Sequence, residues 1–156
     1  MNAAVVVNFG SFLQAFARDH DYHDPYPRNA YLDKATGEVL WVYDDDFGAF
    51  MESGTPEADN RKLAMMVRSA PEQFVRIPGF SHGQNHEIFE EFFDTQWTDD
   101  EQERERVRNT YFKSIGGWMK TVGSPAAVDA FEEFRRKRQE QLAEDFLKSH
   151  GFTLTR

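Results

Sequence analysis

Apolar residues recur along the chain with two different periods, and these periods predict its secondary structure. Within residues 8–18 the large apolar side chains lie three or four positions apart, which is the spacing of one helix face. Within residues 38–43 they alternate, with Trp41 on one side and Leu40 and Val42 on the other. The pattern predicts a helix followed by a strand that is covered on both faces.

The strand belongs to a predicted hairpin. Residues 31–33 form its first arm, residues 34–37 its turn and residues 38–43 its second arm. Residues 74–77 carry a further short apolar alternation before a Pro-Gly pair, which predicts a third short strand. Together these segments predict a small antiparallel sheet.

The region after the hairpin is expected to change from extended to helical. Residues 44–46 are all aspartate and end the strand, because neighbouring carboxylates repel one another and prefer water. We expect residues 47–54 to be irregular. Residues 56–69 then predict a helix with Thr55 as its N-cap and Met66 among its inward side chains.

Capping residues predict three further helices. Ser81 and Gln84 have the spacing of a capping box, in which each residue binds the backbone N–H of the other. Thr98 and Glu101 repeat that spacing, and Ser124 is placed to cap the last helix.

Glycines predict where the later helices end. The helix that starts near Thr98 should reach about residue 115, where Gly116 and Gly117 break it, and Gly151 follows the last helix. The predicted fold is α+β: one domain over residues 1–156, with a small antiparallel sheet of a hairpin and a third short strand. About five helices pack with it, and the C-terminal half is rich in helix.

Composition limits the function classes. The chain has 156 residues and no cysteine, which excludes disulfides and thiolate chemistry. Its formal net charge of −9 argues against nonspecific nucleic-acid binding and favours a protein partner with a basic surface. No apolar run approaches the length of a membrane span, and no basic segment opens the chain. We expect a cytoplasmic protein without a membrane partner, and leave its oligomeric state open.

Several short motifs of this chain occur in the same order as in a known protein family. Residues 32–33 and 36–39 are L-D and T-G-E-V, residues 71–78 are P-E-Q-F-V-R-I-P, and residues 131–135 are F-E-E-F-R. In these motifs the chain resembles the uncharacterised bacterial proteins numbered 0158 in the UPF series. That family has no established activity, so the resemblance implies no catalytic residue.

Two segments depart from the family's pattern. Residues 114–120 read S-I-G-G-W-M-K where the family tends to carry a Gly-x-Gly run followed by phenylalanines. The segment of residues 44–69 is long compared with the family's pattern and is rich in methionine.

The densest group of metal-ligand side chains lies between residues 20 and 24. His20, His23 and Asp24 offer imidazole and carboxylate ligands within five residues, and residues 44–46 could add oxygen ligands. The alternative is a solvated polar loop beside two prolines.

A second candidate is a histidine pair near the start of a predicted helix. His82 and His86 are four residues apart and share a helix face, and Glu90 follows one turn later. Imidazoles at this spacing can both reach one metal ion. The alternative is a pair of polar residues on the solvated side of the helix. The sequence predicts no other cofactor.

Residues 79–83 match the G-x-S-x-G pattern of a hydrolase nucleophile elbow, with Ser81 as the nucleophile. Ser81 is already explained as an N-cap, and the chain is short for that hydrolase fold. We therefore assign no catalytic residue.

Charged stretches suggest how the protein binds a partner. The basic run at residues 135–138 is flanked by glutamates at ion-pair spacing, which favours a solvated helix face over a phosphate-binding surface. The carboxylates predicted to contact a basic partner are Asp44, Asp45, Asp46, Glu90, Glu91, Asp99 and Asp100.

The sequence favours a non-enzymatic cytoplasmic binding or regulatory protein. One version is an acidic inhibitor or immunity-type protein that covers a basic partner. The alternative is a small metal-dependent hydrolase that uses His20, His23 and nearby aspartates. A nucleic-acid binder that uses residues 135–138 ranks third.

Overall fold

The computed structural model describes residues 5–19, 25–98, 100–110 and 115–155. Its strands are β1 Val6–Asn8, β2 Arg28–Asp33, β3 Val39–Tyr43, β4 Phe74–Ile77 and β5 Thr153–Thr155. Its helices are α1 Phe9–Phe16, α2 Asp46–Ser53, α3 Glu57–Ser69, α4 His82–Thr95, α5 Glu101–Thr110, α6 Ile115–Thr121 and α7 Pro125–Ser149. The predicted α+β class is confirmed. Within these ranges, no helix combines the length and the apolar character that a bilayer span needs.

The chain divides into two compact units. The first comprises Met1–Phe80 and Leu142–Arg156, and the second comprises Ser81–Gln141. Each unit has its own cluster of buried apolar side chains. The expectation of a single domain over residues 1–156 stays a prediction.

The first unit contains the predicted antiparallel sheet, in the order β3-β2-β4. Ala30 and Leu32 alternate along β2 and are buried together with Ile77 of β4. Phe12 of α1 and Leu147 of α7 belong to the same buried cluster. The sheet therefore packs one face against α1 and the C-terminal turns of α7, as the alternation of apolar residues requires.

A short parallel pair, β1 with β5, was not predicted. Val7 pairs with Leu154, and Val7 is fully buried in the core of the first unit. Gly37 of the hairpin turn lies against β1, and a Cβ at this position would collide with the Val6 carbonyl. Its φ of 78° is also left-handed, so both the turn and the close approach require glycine.

The side chain of Asn60 in α3 hydrogen-bonds to the backbone of β3, which is one edge strand of the sheet. Asp44 N–H donates to the Pro27 carbonyl across β2 and β3. Because antiparallel pairs alternate, the backbone groups of neighbouring Tyr43 point away from β2. The Tyr43 N–H donates to Asn60 Oδ1 at 3.1 Å, and Asn60 Nδ2 donates to the Tyr43 carbonyl at 3.3 Å. One buried amide thus takes the place of a neighbouring strand.

The segment after β3 corrects the sequence analysis. Residues 47–54 are not irregular but lie mostly in α2, whose N-cap Asp45 accepts from Gly48 N–H. Gly54 ends this helix in a left-handed conformation with φ 68°. The sequence prediction of irregular structure over residues 47–54 was therefore wrong.

Helix α3 differs from the prediction in its cap and its orientation. Pro56 is the N-cap, without a side-chain hydrogen bond, so the assignment of Thr55 was wrong. Met66 was expected to be buried but is 39% exposed, whereas Asn60 is only 3% exposed. The polar bonds of Asn60 to β3 fix which face of the helix turns inward.

The second unit is built around aromatic side chains. The predicted capping box of Ser81 and Gln84 is confirmed at the start of α4. Phe89 and Phe92 of α4 pack with Trp118 of α6 and with Phe131 of α7, and their ring centroids lie 5.3–5.8 Å apart. All five of these contacts are edge-on or tilted, which are favourable arrangements for aromatic pairs.

Helices α5 and α6 correct two further predictions. Asp100 caps α5 by accepting from the N–H groups of Gln102 and Glu103, a role that we had assigned to Thr98. Gly116 and Gly117 lie inside α6 rather than breaking a longer helix. Trp118 is fully buried, and the packing of its side chain outweighs the poor helix propensity of the glycines.

The ends of α7 agree with the prediction. Ser124 Oγ accepts from Ala127 N–H at 3.2 Å, and Gly151 follows the helix with φ 81°. The Ser124 side chain thus caps the start of α7, and a left-handed glycine follows its end.

Replacement of Asn60 tests its role at the sheet edge. Asn60→Ala leaves the Tyr43 N–H and carbonyl without their partner, so we expect a loss of about 2 kcal/mol of unfolding free energy. Urea unfolding followed by circular dichroism measures it. Asn29→Ala is the matched control, since its hydrogen bonds are exposed to solvent; it should cost less than about 0.5 kcal/mol. Equal losses in both variants would contradict the assignment.

Candidate functional site

The aspartates that follow β3 are bound within the first unit. Asp44 Oδ1 accepts from Asn29 Nδ2 at 3.3 Å, and Asp45 caps α2. Asp46 accepts from Asn60 at 3.1 Å and from Arg61 at 2.7 Å. The hydrogen bond from Asn60, followed by the one from Arg61, holds the pKa of Asp46 below its ordinary value. This acidic run is part of the junction between β3, α2 and α3.

The carboxylates of the second unit have local partners as well. Glu90 Oε1 lies 3.3 Å from His86 Nε2, and Glu91 Oε2 lies 3.5 Å from Arg138 Nε. Asp100 is the cap of α5. Asp99 lies outside the described residues. The role of these carboxylates in binding a partner stays a prediction.

The metal candidates fall into two sets. His20, His23 and Asp24 lie outside the described residues, so the hydrolase hypothesis that depends on them stays a prediction. His86 Nε2 lies 3.3 Å from Glu90 Oε1, one turn along α4 from His82. Across the ranges that the structure describes, no three His, Asp or Glu side chains are grouped so that they could hold a metal ion.

Ser81, the serine of the G-x-S-x-G pattern, is the N-cap of α4. Ser81 Oγ accepts from Gln84 N–H at 3.1 Å, and Gln84 Oε1 accepts from Ser81 N–H at 2.9 Å. A nucleophilic serine needs a base that accepts its proton. The observed bonds of Ser81 explain its position without a catalytic role.

The basic run on α7 is an ion-paired surface, as predicted. Each of its side chains lies beside a carboxylate: Arg135 with Glu132 at 2.5 Å, Arg136 with Glu133 at 2.8 Å, Lys137 with Glu133 at 3.4 Å and Arg138 with Glu91 at 3.5 Å. These pairs neutralise the positive field that phosphate binding would need.

The most unusual surface of the first unit is apolar. Among the described residues, the large apolar side chains that are exposed lie on α2 and α3, apart from Val6. Their exposures are Phe47 66%, Phe50 59%, Met51 51%, Met65 69% and Met66 39%. We call these five side chains the α2–α3 surface. Grouped exposed apolar residues on a soluble domain mark sites of interaction.

The packing of α2 explains why its large side chains face solvent. The inward positions are Gly48 and Ala49, which are both buried. A Cβ at Gly48 would lie 3.5 Å from Cβ of Tyr26, so the helix backbone approaches its neighbours closely. Phe47 and Phe50 occupy the opposite side. Small residues therefore make the buried contact and leave the aromatic rings outside.

Helix α3 adds a shallow groove to this surface. The groove has a volume of about 490 Å³ and is lined by Ala58, Arg61, Lys62, Met65, Met66 and Ser69. These residues recur at helical spacing along one exposed face. Flexible thioethers form its apolar lining, and such side chains adapt to differently shaped partners.

Positive charge accompanies the groove. Lys62 and Arg68 are exposed, and in the described part of the chain neither lies within ion-pair distance of a carboxylate. Arg61 is paired with Asp46 across α2 and α3. The residues that line the groove thus include two cations, Arg61 and Lys62, and no carboxylate, although the whole chain carries a net charge of −9.

Sequence reasoning missed this surface but had its signals. Residues 44–69 were noted as rich in methionine. Phe47, Phe50 and Met51 have the i, i+3, i+4 spacing of a helix stripe. Their exposure could not be read from that spacing, because the same pattern usually marks a buried face.

Comparison of the chain with protein-family models, with curated proteins and with solved structures finds no match. The contacts and exposures described above are therefore the basis for a functional proposal.

The junction at Asp46 should make stability depend on pH. Because the pKa of Asp46 is lower in the folded chain than in the unfolded chain, its contribution is present above about pH 4 and is lost as the pH falls through the folded pKa. Asp46→Asn should therefore be less stable than the native chain at pH 7, and the difference should shrink below pH 4. Urea unfolding at several pH values measures this, with Asp59→Asn as the control for net charge. A difference that is constant with pH would contradict the assignment.

Proposed function

We propose that the protein is a non-enzymatic binding protein that docks a partner helix on the α2–α3 surface. The observation that carries this proposal is the concentration of exposed large apolar side chains on two helices that pack against each other. Exposed aromatic and methionine side chains cost solubility and are typical of interaction surfaces.

The occupant that we propose is an amphipathic helix with acidic residues beside its apolar face. Its apolar side chains would lie against Met65 and Met66 in the groove of α3. Its carboxylates would face Lys62 and Arg68, which are three residues from Met65 on either side. Helix-in-groove recognition uses this combination of apolar anchors and flanking charge.

This proposal differs from the expectation of an acidic inhibitor for a basic partner, which stays an untested prediction. The carboxylates at residues 44–46 already serve the fold, and using them for a partner would disturb the cap of α2 and the contacts of Asn60. The α2–α3 surface needs no such rearrangement. A cytoplasmic location and the resemblance to the family numbered 0158 in the UPF series remain predictions beside it.

A synthetic peptide tests the proposal directly. The probe is an amphipathic peptide of about 20 residues, with leucines at helical spacing flanked by glutamates, long enough to form a helix on the surface. We expect it to bind at least about tenfold more tightly than the same peptide with lysines in place of the glutamates, or about 1.4 kcal/mol. Isothermal titration calorimetry measures both affinities. Equal affinities would contradict the charge argument.

Variants of the protein locate the site. Phe50→Ser with Met65→Ser should abolish binding and leave the urea midpoint within error, because both side chains are mostly exposed. Val6→Ser is the matched control, since Val6 is exposed outside the α2–α3 surface. Sedimentation of the protein alone tests the other occupant: self-association that the double variant removes would make a second copy the partner and overturn the proposal.

A further inference from the structure

Three methionines of the first unit, Met51, Met65 and Met66, are exposed on α2 and α3. Of the methionines in the described ranges, Met51, Met65 and Met66 belong to the α2–α3 surface, and Met119 is half-buried against the aromatic cluster of the second unit. The first three residues are 51%, 69% and 39% exposed, so small solutes in the surrounding water can reach these side chains. None of the three belongs to either buried core cluster.

We infer that Met51, Met65 and Met66 form an oxidation site that turns the α2–α3 surface from apolar to polar. The reagent is a hydroperoxide. Its O–O bond breaks and one oxygen forms an S–O bond with the thioether. The sulfur loses two electrons, and the peroxide is reduced to water or to the corresponding alcohol. The product is methionine sulfoxide, which methionine sulfoxide reductases convert back.

The exposed position of the three methionines determines what their oxidation changes in the protein. A sulfoxide is polar and accepts hydrogen bonds, so it disfavours contact with an apolar partner face. Because these side chains are exposed, the folded chain accommodates the added oxygen without a change in its cores. The modification would thus change binding and spare stability. For this consequence the inference rests on the proposed docking function.

The first experiment measures the site without any partner. The native protein is treated with hydrogen peroxide, quenched and digested, and sulfoxide is quantified at each methionine by mass spectrometry. We expect Met51 and Met65, which are more than half exposed, to react at least about tenfold faster than Met119, because access of the oxidant sets the rate. Retention on a phenyl matrix should then fall, and the circular dichroism spectrum should not change. Equal rates at Met119, or unchanged retention, would overturn the inference.

A substituted protein isolates the sulfur chemistry. Leucine has nearly the volume of methionine and cannot form a sulfoxide, so the triple variant Met51→Leu, Met65→Leu, Met66→Leu keeps an apolar surface. Peroxide should leave its retention on the phenyl matrix unchanged. Loss of retention equal to that of the native protein would show that the change arises elsewhere, and would refute the inference.

The acidic peptide probe separates this inference from the proposed function. Oxidation of the native protein should weaken its binding at least about tenfold, treatment with sulfoxide reductases should restore it, and the leucine variant should bind equally before and after peroxide. If the unoxidised protein does not bind the peptide, the docking proposal fails, and the retention measurement still decides the oxidation site. If it binds and oxidation does not weaken binding, only the inference fails.

Discussion

The paired hydrogen bonds between the Asn60 side chain and the Tyr43 backbone are the constraint on which the first unit depends. They end the sheet at β3 with a helix residue instead of another strand. An unpaired strand edge is a template for unwanted pairing, and a buried amide covers part of it without adding a strand. The same amide donates to Asp46 at the start of α2. One side chain therefore fixes the position of a sheet edge and of two helices.

The exposed surface follows from this constraint. With Asn60 turned inward, the opposite face of α3 carries Met65 and Met66 into solvent. With Gly48 and Ala49 packed inward on α2, Phe47 and its neighbours also face outward. The apolar surface is thus a consequence of how small and polar residues fill the buried positions. Its side chains can change with little effect on the core, which is a property that suits a site of recognition.

The sequence predicted the elements whose burial and caps agree with their local pattern. The hairpin and the capping box at Ser81 are of this kind, because local bonds determine them. The third strand was predicted from its apolar alternation, although its partner β2 lies far away in the chain. The prediction failed where tertiary contacts determine the structure. The apolar stripe of α2 faces solvent instead of the core. Helix α6 contains Gly116 and Gly117 because the buried Trp118 stabilises that turn. The pairing of β1 with β5 depends on residues far apart in the chain, which no local pattern reveals. The candidate site was missed for the same reason, since exposure depends on neighbours in space.

The placement of the indole rings gives each unit a separate optical signature. Trp41 belongs to the first unit, where the Arg28 guanidinium lies 4.1 Å from its ring centroid. Trp97 and Trp118 lie in the second unit, nearly perpendicular and 6.0 Å apart, close enough for their electronic transitions to couple. Excitonic circular dichroism thus originates in the second unit, whereas the emission of Trp41 senses the stacked cation of the first. The excitonic band of the intact chain can therefore follow the melting of the second core without an added label.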